Sequence, residues 1–272
     1  MDEKKIYRYS EIEFRLIDKE IDFPKEYKYE MDEYWENEIA KGKKYINGKI
    51  YTLVGYNFRD DKKILYIQPS SFSHYLFSRQ RKYNVYSCRS LAANALLLTT
   101  DNYFVLGRMQ NTTSLPGRIK FIGGSVSSHD VNCQNIIEMK KCVVRECKEE
   151  IGIDILDREL INNVEVYSYI TRPHLSFLNT LYLVKLKINK IELQKKYTEF
   201  KKRCIENKVE IELANIEFVK NNKELLIEYL KNNSNILIDY MTDFFDAYFD
   251  NSNMGDFAEY VRQNLNEITE CK

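Results

Sequence analysis

The chain is poor in the residues that punctuate a fold and carries no surplus charge. It has nine glycines, four prolines and one tryptophan in 272 residues, and its 41 basic side chains balance 41 acidic ones. With no net charge and no basic stripe, nothing suggests a general electrostatic grip on nucleic acid or on an anionic membrane. No apolar run approaches the length of a membrane span, and the opening M-D-E-K-K-I-Y-R-Y-S lacks the apolar segment of a signal peptide. The six cysteines (88, 133, 142, 147, 204, 271) form no C-x-x-C pair, so a zinc site or a disulfide framework is not expected. A reduced, cytoplasmic protein follows as the expectation. Scarce glycine and proline beside abundant Lys, Ile, Asn and Tyr reflects the base composition of an AT-rich genome and says nothing of function. There are no internal repeats and no low-complexity linker.

What is present is organised around Cys142–Ile153, C-V-V-R-E-C-K-E-E-I-G-I. Glu146, Glu149 and Glu150 stand at offsets 0, 3 and 4, which on a helix places three carboxylates on one face within about one turn. Such a cluster repels itself, and hard divalent cations such as Mg²⁺ or Mn²⁺ relieve that repulsion. An acid-rich helix is usually just a solvated face. Here the context argues otherwise. Over Asn135–Glu150, residues Ile136, Val143, Val144 and Cys147, with Ile151 just beyond, form an apolar stripe, with the acids at its edge. Arg145 can meet Glu149 at i, i+4 and hold it in place. Gly152 is placed to end the helix.

The flanking pattern alternates strands and helices. Residues 1–23 hold one or two weak strands, and a helix runs from Pro24 to Ala40, with Gly42 as its stop. Asn47-Gly48 turns into a hairpin, K-I-Y-T-L-V-G-Y-N-F and K-I-L-Y-I-Q-P, joined by Arg59-Asp60-Asp61-Lys62. Ser70–Tyr86 is aromatic and basic, and periodicity leaves it as helix or loop. A new unit starts near Ser87 with the buried strand S-L-A-A-N-A-L-L-L-T-T. It continues through Y-F-V-L-G-R-M and the polar loop Gln110–Ser114 to L-P-G-R-I-K-F-I-G-G, ending at Gly123-Gly124. Two further strands (V-E-V-Y-S-Y-I-T and F-L-N-T-L-Y-L-V-K-L-K-I), a helix over Lys195–Asn207, a strand V-E-I-E-L-A-N-I-E-F-V and a helix over Asn222–Lys231 follow. The tail, Ile236–Ile268, repeats Tyr240, Phe244, Phe245, Tyr248 and Phe249 at helical spacing, as if to pack on the body or to make a homodimer contact.

R-E-C-K-E-E-I-G-I (Arg145–Ile153) resembles the second half of the Nudix box, G-x5-E-x7-R-E-U-x-E-E-x-G-U, with U a bulky aliphatic residue. Every fixed letter is present, with Cys147 as a loose aliphatic. The resemblance implies an α/β protein: a Nudix α/β/α sandwich over residues 87–231, with an N-terminal α+β extension (1–86) that is a possible substrate-recognition region and a C-terminal helical tail (232–272). The first half of the box departs from the pattern. Gly124 precedes Arg145 by 21 positions where the family has 14, so the loop Ser125–Asn135 is expected to carry about seven extra residues. Eight positions before Arg145 stands Ile137, and Glu138 is the nearest stand-in for the first box glutamate.

By the family's pattern Glu146, Glu149 and Glu150, assisted by the Gly123 carbonyl, would hold Mg²⁺ or Mn²⁺. Glu149, Glu150 and Arg145 would form the catalytic group, with Glu210 and Glu212 as other candidates for the base. The implied reaction is hydrolysis of a nucleoside diphosphate linked to another moiety. Residues 24–82 and the enlarged loop look faintly like the branch acting on UDP-glucose and UDP-galactose. ADP-ribose, NADH and dinucleoside polyphosphates are alternative substrates, and a nucleotide-sensing module without turnover is an alternative function. Arg79, Arg89 and Arg108 are the candidates for substrate phosphates. Among the histidines, His74 and His174 sit near pocket segments, and neither is read as catalytic. The expected partner is thus a small nucleotide, with neither membrane nor nucleic acid involved.

Overall fold

The computed structural model describes residues 5–43, 45–59, 61–113 and 115–269. Asp60 and Ser114 of two expected turns, and Cys271, lie outside them. In chain order the strands are β1 (Ile6–Arg8), β2 (Glu13–Leu16), β3 (Lys49–Phe58), β4 (Lys63–Ser71), β5 (Ser90–Leu98), β6 (Tyr103–Met109), β7 (Ile119–Lys120), β8 (Ile122–Ser125), β9 (Ile161–Thr171), β10 (Phe177–Leu186) and β11 (Leu213–Lys220). The helices are α1 (Lys25–Ala40), α2 (Phe72–Gln80), α3 (Met139–Ile151), α4 (Lys190–Glu206), α5 (Lys223–Asn232), α6 (Met241–Phe249) and α7 (Phe257–Asn264).

One mixed sheet runs β1-β9-β10-β5-β3-β4-β2, and β5 also carries β8 and the β6–β7–β11 branch. Strand β5 is the hub. It pairs parallel with β10 from Ser90↔Phe177 to Leu98↔Lys185, and antiparallel with β8 from Ala92↔Ser125 to Ala95↔Ile122. That register sets Gly123 and Gly124 opposite Asn94 and Ala93, in the middle of the sheet. The uncharged, mostly apolar run of β5, interrupted only by the buried Asn94, fits a strand covered on both faces.

Alternation along β5 divides the core. Leu91, Ala93, Ala95 and Leu97 face α3 and α4, where Val143, Cys147, Ile151, Leu193 and Tyr197 are all buried. Leu96, with Phe104 of β6 and Phe121, faces α5 and α6, where Leu226, Phe244 and Phe245 close the other side. The α/β class expected from the sequence is the one that forms. Burying Val143 and Ile151 stabilises α3 by about 1.5–3 kcal/mol apiece. Like charges at helical spacing oppose that by only about 0.2–0.5 kcal/mol a pair. The apolar stripe therefore wins, and the acids are carried where it puts them.

Several boundaries move for local reasons. Helix α3 starts at Met139 and not at Asn135. Asn135 itself takes a left-handed φ of +58°, and Ile136 and Ile137 are bridged to Arg15 of β2 and to Val131. Helix α4 starts five residues before Lys195 because Asn189 and Glu192 form a reciprocal cap, each side chain accepting from the other's end of the turn. Within Ser70–Tyr86 a helix, α2, covers Phe72–Gln80 and is capped by Ser71, whose hydroxyl accepts from the His74 N–H at 3.2 Å; residues 81–86 are loop. The aromatic tail is split by Asp250–Met254 into α6 and α7, and both pack on the sheet. Among the described residues, no helix is long and apolar enough to cross a membrane.

Candidate active site

The twin glycines are there for lack of space. Gly123 has φ +136°, and a side chain on it would run into the Ala93 carbonyl; a Cβ on Gly124 would come within 2.5 Å of the Glu146 carboxylate. The end of β8 thus lies directly against the acidic edge of α3. At the far end of α3, Gly152 takes a left-handed φ of +70° and packs under Phe200, so the helix stops as expected.

Arg145 organises one half of the site. Its guanidinium donates to both Asp130 oxygens (3.2 and 2.9 Å), to Glu146 Oε1 (2.7 Å), to Glu149 Oε2 (3.0 Å) and to the Ser125 carbonyl (3.1 Å). Asp130 is fully buried and is also held by the Ser127 N–H at 2.8 Å. Burial works against its charge, but Arg145 and Ser127 outweigh this and keep its carboxyl below the usual range. Burial also disfavours the Arg145 charge, and Asp130 and Glu146 reverse that. Glu149, by contrast, keeps more than half of its side chain in solvent.

Lys120 organises the other half. Its ammonium donates to Glu150 Oε1 at 2.5 Å and to the Gly123 carbonyl at 2.7 Å, while the Gly123 N–H donates to Glu150 Oε2 at 2.8 Å. Burial raises the Glu150 carboxyl to about 7 despite Lys120 and the Gly123 N–H. At Lys120 burial opposes the charge, but Glu150, with help from Glu212 and Glu146, raises the ammonium above its ordinary value. Burial likewise raises Glu146, against the pull of Arg145.

Two of these residues escaped the sequence reading. Glu138 is exposed and caps nothing with its side chain, and among the described residues it makes no ion pair. The acid that meets Arg145 is Asp130. Counting backward from Arg145 misses it; counting forward from Gly124 reaches it after six residues, the spacing of the first glutamate in the box that the sequence resembles, with Asp for Glu. The extra residues therefore follow the acid, and do not precede it. They form the segment from Val131 to Glu138, strapped to β2 by Leu16 N–H to Asn135 O (2.7 Å) and Ile137 N–H to Phe14 O (2.8 Å). Lys120 gave no sequence signal, since a lone lysine near a strand end reads as solvated.

The three candidate phosphate-binding arginines do not converge. Arg108 on β6 is engaged by Glu217 of β11 at 2.5 Å. Arg89 is buried, lies over the Tyr83 ring at 5.1 Å and finds no partner for Nε among the described residues. Arg79 lies over Tyr75 and lines a cleft of about 360 Å³ with Tyr83, Arg172 and His174, whose ring stacks on Tyr83 at 4.4 Å. His74 is a structural residue, buried and bonded to Ser70 Oγ and the Tyr86 carbonyl. The larger hollow between α4 and β11, about 710 Å³, contains none of these groups.

Hard carboxylate oxygens suit Mg²⁺ or Mn²⁺, but the two halves of the site differ in fit. Glu146 and Glu149 sit one turn apart, fixed by Arg145, and can offer oxygens to an ion. Glu150 and the Gly123 carbonyl are engaged by Lys120. Accordingly, among the described residues no three acidic, histidine or cysteine side chains converge as a ready-made metal cluster.

No family model matches the chain, and no curated protein matches it. Solved structures similar to it include a protein of Deinococcus radiodurans (14% identity, 80% of this chain and 100% of the other, TM-score 0.39). A Nudix hydrolase from Nitrosomonas europaea is 8% identical, over 61% of this chain and 91% of the other, with TM-score 0.36. A MutT protein from Methanosarcina mazei is 19% identical, over 61% and 96%, with TM-score 0.34.

Proposed function

We propose that the chain is a Nudix-type pyrophosphohydrolase that cleaves the phosphoric anhydride of a nucleoside diphosphate linked to another moiety. The products would be a nucleoside monophosphate and the phosphorylated remainder. The observation that carries this reading is the Asp130–Arg145 pair, which completes the first half of the box and fixes Glu146 and Glu149 against the Gly123-Gly124 strand. Glu146 and Glu149 are the residues to hold Mg²⁺ or Mn²⁺. When bound, such an ion supplies charge neutralisation at phosphate oxygens and lowers the pKa of attacking water.

The chain's own groups have distinct parts. Glu149, the most exposed acid, is placed to accept a proton from water. Arg145 positions Glu146 and Glu149, and Glu150 fixes Gly123 and Lys120. The cleft at Arg79, Tyr83 and His174 offers a ring stack and, in Arg79, a guanidinium that makes no ion pair among the described residues, suited to the nucleoside and its phosphate. It lies beyond the Ser90 end of β5, and Ser90 is itself about 10–13 Å from Ala93 and Asn94 at roughly 3.3 Å per residue. An extended nucleotide sugar such as UDP-glucose, the first candidate, spans such a gap; ADP-ribose, NADH and dinucleoside polyphosphates come next.

The test is a turnover screen over these substrates with Mg²⁺ and with Mn²⁺. Release of a nucleoside monophosphate that disappears on chelation is the expected result. The engagement of Glu150 by Lys120 favours a second reading, a nucleotide-sensing module without turnover. Ligand binding without metal and no hydrolysis across the panel would establish that reading in place of the first.

A further inference from the structure

Lys120 stands where the acidic site would otherwise need a metal ion. One nitrogen lies 2.5 Å from Glu150 Oε1 and 2.7 Å from the Gly123 carbonyl oxygen. Two oxygens thus converge on a single cation-sized point, and the remaining Glu150 oxygen is satisfied by the Gly123 N–H. Only 12% of the Lys120 side chain and 2% of that of Glu150 are exposed. A carboxylate this deeply buried needs a compensating charge. The chain supplies it from β7, three residues before the carbonyl it also binds. These are two of the four groups that the box pattern marks as metal-binding.

We propose that Lys120 is a resident cation that takes one divalent-ion position of this site, so that the folded chain binds one Mg²⁺ or Mn²⁺ fewer than its acidic groups could hold. The incoming ions are confined to the Glu146–Glu149 side. The inference deepens the metal-dependent reading above and rests on it. Its physical basis is displacement: a divalent ion at Gly123 and Glu150 must expel a tethered ammonium from the same two oxygens, and at that range two cations repel. Asp130 and Arg145 do not compete for the position: Arg145 bonds Asp130, Glu146, Glu149 and the Ser125 carbonyl, and not the two oxygens that Lys120 holds.

The number of bound ions decides the matter. Mn²⁺ is titrated into the full chain, and free Mn²⁺ is read from its electron paramagnetic resonance signal. Lys120→Gln, which keeps a hydrogen-bond donor but removes the charge, is expected to bind one more ion per chain than the wild type. Lys120→Arg should bind the wild-type number. Mn²⁺ should also raise the unfolding temperature of Lys120→Gln more than that of the wild type. Equal, non-zero counts for Lys120→Gln and the wild type would overturn the inference and leave metal-dependent hydrolysis standing. If neither bound Mn²⁺, both would fall. Glu150→Gln gives an answer even if Lys120→Gln does not fold: it should keep the wild-type count, and losing an ion would mark Glu150 as a ligand in the wild type and overturn the proposal.

Discussion

Two cations flank the acidic edge of α3, and they act in different ways. Arg145 spreads its donors over Asp130, Glu146, Glu149 and the Ser125 carbonyl at the open mouth of the site. Lys120 brings one charge to a buried point between Glu150 and the Gly123 carbonyl. The planar fork of arginine suits the first task, and the compact ammonium on its flexible stem suits the second. The difference shows how a helix can carry three acids without being disrupted by them. Glu150 is neutralised inside by Lys120, and Arg145 holds the buried Glu146 and the exposed Glu149 in a fixed geometry.

That contrast can be broken from either side. The largest effect should come from Glu149→Gln, which leaves the fold alone but removes the solvent-facing acid. Turnover of the substrate found in the screen should fall about 10²–10⁴-fold, while stability moves by no more than about 0.5 kcal/mol. Unchanged turnover would remove Glu149 from the mechanism. Next come the buried partners. Lys120→Met should cost about 3–5 kcal/mol because it strands the Glu150 carboxylate, and Asp130→Ala should cost about as much because it strands part of the Arg145 guanidinium. Urea denaturation measures both; a loss below about 1 kcal/mol in either would show that the pair is not structurally important.

A smaller effect separates the two halves by pH. In the folded chain Asp130 is held below its unfolded value of about 3.9. Its contribution to stability is therefore present above that value and is lost as pH falls through the folded pKa. Asp130→Asn should flatten the acid limb of unfolding temperature against pH, and an unaltered limb would contradict the assignment. Least of all is expected from Glu138→Ala, within about 0.5 kcal/mol and without change in turnover. A large loss there would return the role of the first box acid to Glu138.

How far the sequence reaches can be followed residue by residue. The stripe Val143, Val144, Cys147 and Ile151 and the stop at Gly152 are local facts of spacing and backbone freedom, and they form as read. The start of α3 is not local. The segment before Met139 is drawn into extended pairing with β2, so helical periodicity over-extends it to Asn135. Asp130 was legible only by counting forward from Gly124, because the extra residues separate it from Arg145. Helix α2 escaped firm assignment because its buried side includes Ser73 and His74, whose polar groups are satisfied by partners elsewhere in the fold.

By itself, then, the sequence determined that one helix would carry Glu146, Glu149 and Glu150 on the border of an apolar stripe, ending at Gly152 after a glycine pair. These follow from helix geometry and from what glycine alone can adopt. Only the tertiary structure brought Lys120 and Asp130 to that edge. Register along β5 sets Gly123 and Gly124 against α3, and β7 then aims Lys120 at Glu150. A loop that returns from β8 brings Asp130 under Arg145. Charges placed by strand register and loop closure have no periodicity in the sequence, which is why the acids and Arg145 could be read in advance and Lys120 and Asp130 could not.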